Sequence, residues 1–133
     1  MAFSISTFRD KTRKYLLNAA TELNREVPNV SFNVSRVEDS GIYLSALIKD
    51  APTELPDLVD LEISIKELEG GKDIIDVDVV WGHDGHGCVE GSFYSEPITI
   101  DEHVLERVYL DLPRLILVLK TAVQRKKPYN WEK

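Results

Sequence analysis

Cysteine is almost absent from this chain: Cys88 is the single one among 133 residues. No intrachain disulfide can form, and a lone thiol suits a reducing compartment while leaving pairing between chains open. Long apolar runs are missing as well. No stretch approaches the ~18 residues needed to cross a bilayer, and residues 1–10 lack the basic region and apolar run of a signal peptide, which points to a cytoplasmic protein. The glycines at 82, 85 and 87 match neither nucleotide-binding pattern: no Lys-Ser or Lys-Thr follows them as in a Walker A loop, and they do not open a helix as a dinucleotide fingerprint does. No cofactor is therefore expected. A positive excess is lacking too, since the net charge of −7 disfavours general contact with nucleic acid or anionic membranes.

What remains is an ordinary globular composition, long enough to bury a core without staples. The hydrophobic periodicity implies one α+β domain over residues 1–133, with an irregular tail from about residue 128. Phe8, Thr12, Tyr15, Leu16, Ala19 and Leu23 recur at helical spacing, which predicts a helix over residues 6–25 that Ser4 or Ser6 would cap and Pro28 would stop. From Val30 the period changes to two. Strands are expected over 30–35 and 41–49, then over 58–68, 75–81 and 89–94, giving an antiparallel sheet of about five. Residues 50–57, with two prolines, read as a loop. Val104, Leu105, Val108, Leu112, Leu115, Ile116, Leu119 and Val123 mark a long C-terminal helix that begins after Asp101 and that Pro113 kinks or divides, with Asp111 as the cap of the second half.

Facing residues of an antiparallel pair share a side of the sheet, which allows loop lengths to be tested. An odd loop after the 58–68 strand would pair Ile65 with Val77 and Lys66 with Asp76. An odd loop over 83–87 would pair Trp81 with Val89 and Val77 with Phe93.

Charge is distributed unevenly. Residues 50–106 hold sixteen acidic side chains against two basic ones, a net −14, and the two ends together carry +7. Alternation places Asp60, Glu62, Asp76, Asp78 and Glu90 on the wet side of neighbouring strands, where they would form one negative surface. Such rows are commonly just a solvated face, and general acid-base chemistry is a third reading. A basic partner would relieve their mutual repulsion and be drawn in faster by it. Tyr94, Tyr129 and Trp131 are candidate aromatic anchors, whereas alternation turns Trp81 toward the core.

The other candidate is the run Gly82-His83-Asp84-Gly85-His86-Gly87-Cys88. His83, His86 and Cys88 are zinc-ligand types, with Asp84 or Glu90 as a fourth, but a glycine-rich hairpin loop exposing polar side chains explains the same run. A Cys88 nucleophile with a histidine base is the remaining reading, and the spacing does not show activation.

Small size, acidity, a sheet with terminal helices and no catalytic motif together resemble the immunity proteins of bacterial contact-dependent and polymorphic toxin systems. The resemblance is one of overall form across the whole chain. It implies a non-enzymatic inhibitor whose Asp60, Glu62, Asp76, Asp78, Glu90 face takes a basic protein, such as a toxin nuclease domain, without touching nucleic acid or membrane directly. The chain is also similar to the small acidic chaperones of bacterial secretion systems, which would imply a homodimer formed through the Leu115, Ile116, Leu119 face or an edge strand. It lacks the helix those chaperones place between their strands, unless residues 53–58 supply it.

Overall fold

The computed structural model describes residues 4–37, 41–51, 57–67, 70, 73–82, 88–92, 98–101 and 103–126. The chain opens with α1 (Ile5–Glu26) and runs through β1 (Val30–Val37), β2 (Gly41–Ile48), β3 (Leu58–Lys66) and β4 (Ile74–Trp81). Two short segments, β5 (Cys88–Ser92) and β6 (Ile98–Thr99), precede α2 (Val104–Leu110) and α3 (Leu112–Arg125). The α+β expectation holds, with a helix toward each end.

The sheet is built on four long strands and not about five, with β5 and β6 as short additions among the described residues. Strands β1 to β4 pair as consecutive antiparallel neighbours. Beyond them the outer side of β4 is shared by short pieces, β5 along Asp78–Trp81 and β6 along Ile74 and Ile75.

Each helix end has an identifiable cause. At the start of α1 the Ser4 hydroxyl accepts from the Thr7 amide at 3.0 Å, so Ser4 and not Ser6 is the cap. The buried stripe is Phe8, Thr12, Leu16, Ala20 and Leu23, with Ala20 in the place on the packed face expected of Ala19, which is only partly buried. Asn29 turns the chain into β1 with φ of 64°, a conformation asparagine tolerates better than most residues. Asp101 accepts from the amides of His103 and Val104 at 2.8 and 3.0 Å, which satisfies donors at the start of α2 and holds its carboxyl below the usual range. The C-terminal helix is divided as Pro113 suggested, but Asp111 does not cap with its side chain; its carboxylate pairs with Arg114 instead.

The helices lie on one side of the sheet, with α1 against β1 and β2 and α3 against β3. Beneath them Ile42, Leu44, Ala46 and Ile48 of β2, the odd positions 59–65 of β3 and 75–81 of β4 are buried. Leu115 and Leu119 are fully buried in the same core, and Ile116 packs partly buried against it. Trp81 is also wholly enclosed, as its alternation implied. Tyr15 and Tyr109 meet edge to face at 6.1 Å and join α1 to α2.

Register departs from expectation in two places. Ile65 faces Ile75, and Lys66 faces Ile74, so the loop is odd as required but two residues shorter in pairing sum than expected. No Lys66–Asp76 cross-strand pair forms. Between β4 and β5, Trp81 faces Cys88 and Val80 faces Val89, after which Val79 faces Gly91 and Asp78 faces Ser92. The slip is a β-bulge with Glu90 as its extra residue, and it replaces the expected Trp81–Val89 pairing. Phe93 lies outside the described residues.

One edge is guarded. Asn24 reaches from α1 to β1, accepting from the Phe32 amide at 2.8 Å and donating to its carbonyl at 3.1 Å. The carboxamide thus takes both outward backbone groups of Phe32, much as a neighbouring strand would.

Candidate functional site

The side of the sheet away from the helices is assembled from the even positions of β3 and β4 and the odd positions of β2. Register sets them in rows. Ser45, Asp60 and Val80 form one row, and Tyr43, Glu62 and Asp78 the next. Ser64 and Asp76 follow, while Leu47 and Leu58 lie at the opposite end. Successive rows are about 7 Å apart along the strands, and neighbours within a row about 5 Å.

Four of the five predicted carboxylates are therefore gathered. Glu62 stands directly opposite Asp78, an arrangement of like charges that destabilises a sheet. Asp60 is in the adjacent row, with its Oδ1 shut off from solvent. Burial, then the charges of Asp60, Asp78 and Asp76, push the half-buried Glu62 carboxyl up to about 6. Asp76 is also raised, by burial, the charge of Asp78 and the hydrogen bond between the two carboxyls. The neighbouring carboxylates thus disfavour the charged forms of Glu62 and Asp76, which Lys66 partly offsets at Asp76. Glu90 belongs to β5 at the bulge, and its side chain lies outside the described residues.

Tyr43 was absent from the sequence expectation. Its hydroxyl hydrogen-bonds Ser64, and its titration is raised by burial and then by Glu62. A β-carbon built on Gly41 would come within 2.8 Å of the ring, so the glycine is what lets the ring fold over the strand end toward Ser64. Among the described residues the aromatic at this site is Tyr43; Tyr94, Tyr129 and Trp131 lie outside them. The signal that could have found it is the β2 alternation, which puts Tyr43 with Ser45 opposite Leu44.

No family model, curated protein or solved structure matches the chain. Its chemistry must be taken from its own residues.

His83 and His86 lie outside the described residues, and Cys88 is placed only by its backbone, as the partner of Trp81. Among the described residues no group of three or more histidine, cysteine, aspartate or glutamate side chains is arranged to hold a metal ion. No helix among them is long and apolar enough to cross a membrane. What the open side offers chemically is carboxylate acceptors in adjacent rows, a phenol beside them and aliphatic side chains at one end.

Proposed function

We propose that this protein is a stoichiometric binding module that engages a basic protein partner on the open side of its sheet, in the manner of the toxin-neutralising immunity proteins it resembles. The observation that carries the reading is the placement of Glu62 opposite Asp78, with Asp60 and Asp76 in the flanking rows. A sheet gains nothing in stability from that grouping. A cationic partner would relieve the repulsion, and the same field would accelerate encounter. Neither step requires turnover, and the compartment in this reading is the cytoplasm.

The test is capture from a native lysate at low and high salt, with the kinetics of the recovered partner then measured in purified form. One basic protein bound at one to one, associating more slowly as salt rises, is the expected result. Replacing Asp60, Glu62, Asp76 and Asp78 together by asparagine or glutamine should slow association while thermal unfolding stays cooperative. An unchanged association rate in that variant would remove this side of the sheet as the binding site.

A further inference from the structure

The open side is not uniformly acidic. Leu47 and Leu58 face each other at one end, Val80 stands beside Asp60 in the next row, and Leu47 is 41% exposed. One row further Tyr43 lies next to Glu62, with Asp78 beyond it. The aliphatic end and the Tyr43 row are about 13 Å apart along the strands.

Resting on the binding reading above, we infer that this side receives an α-helix of the partner, which lays an aliphatic side chain on Leu47, Leu58 and Val80 and an arginine against Tyr43, Glu62 and Asp78. Charge complementarity selects a cationic occupant. Arginine fits better than lysine, because its planar guanidinium can bond two carboxylate oxygens and also stack on a phenol ring. A helix fits better than an extended segment, because β2 and β3 have both edges paired and their backbone offers nothing to a new strand. Whatever covers them must satisfy its own backbone groups. Seven helical residues advance about 10 Å, and the two side chains make up the remaining distance. Helices already cover the other side of this sheet, so the partner would complete a second layer.

The test uses a capped, alanine-based helical peptide carrying two arginines one turn apart and a leucine seven residues from the first. It is titrated into the isotope-labelled full chain and followed by amide NMR, alongside one peptide with the leucine replaced by serine and another with lysines for arginines. Amide shifts are expected at Tyr43, Glu62, Leu47 and Leu58. The serine peptide should bind about tenfold more weakly and the lysine peptide several-fold more weakly. In the Leu47→Ser protein the leucine and serine peptides should bind alike, and Tyr43→Phe should retain the preference for arginine, since the ring remains.

Three peptides of equal affinity, with shifts on this side of the sheet, would overturn the aliphatic and arginine assignments while leaving a purely electrostatic site standing. No shifts there with any peptide, under conditions where the protein is folded, would sink the acidic site itself.

Discussion

Glu62 has three carboxylates around it and a titration pushed up to about 6, so the fold disfavours its charged form. A group raised in the folded state contributes most to stability below its unfolded value and loses that contribution as pH rises through the folded one. Stability should therefore be greater below pH 4.5 than at pH 7 as far as this residue is concerned, with the loss falling between the unfolded value of 4.5 and the folded value of about 6. Glu62→Gln should stabilise the protein at pH 8 by about 1 kcal/mol, a figure reduced from the full shift because water reaches the group. The gain should vanish in acid, which denaturation midpoints across pH would check. Thr12 supplies a second test at this scale: it is fully buried in α1 and its hydroxyl has no partner among the described residues. Thr12→Val keeps the shape and removes the stranded polar group, so unfolding should require about 1 kcal/mol more.

At the scale of elements, the β1 edge and the β3–β4 pairing are the informative parts. Asn24→Ala would uncover the outward amide and carbonyl of Phe32. The expected cost is about 1 kcal/mol in stability, together with concentration-dependent association visible by sedimentation, because an unguarded edge is a template for another strand. Gly41→Ala should displace the Tyr43 ring and break its bond to Ser64, which the phenol's NMR signals would report. The elements themselves were largely legible, since alternation identifies β3 and β4 and helical spacing identifies both helical regions. Pairing was less so. Parity excludes half of the registers, but choosing Ile75 over Val77 as the partner of Ile65 depends on the length of a loop that carries no hydrophobic signal. The bulge at Glu90 was also invisible, because one inserted residue leaves the alternation on either side intact. That missed register is what converts an expected Lys66–Asp76 attraction into a Glu62–Asp78 repulsion, so the site is more strained than the sequence alone suggested. The four carboxylates of β3 and β4 were nonetheless found, because their shared side requires only the period of two.

Across the whole molecule, charge is divided through its thickness. The helical layer is basic: α1 carries Arg9, Lys11, Arg13, Lys14 and Arg25 against three acids, and α3 carries Arg114, Lys120 and Arg125 against none. The opposite side carries the carboxylates of β3 and β4. Among the described residues, the cations of α1 and α3 and the carboxylates of β3 and β4 thus give the folded chain a direction. In the proposed binding a cationic partner would be turned acid-side first before contact, so removing the four carboxylates should lower the association rate more than it raises the dissociation rate. The same variant should be more stable than the parent at pH 7, the usual sign that residues are held for binding rather than for the fold. Tyr43 gives this orientation an optical consequence. Its phenol is held in the protonated state by burial and by the neighbouring negative charge, so near-ultraviolet absorbance at alkaline pH senses what sits on that side of the sheet. A ligand that mainly neutralises Glu62 will bring the phenolate band in at lower pH, whereas one that mainly excludes water will delay it. With Tyr43→Phe as the blank, the direction of that colour change separates capture by charge from capture by burial.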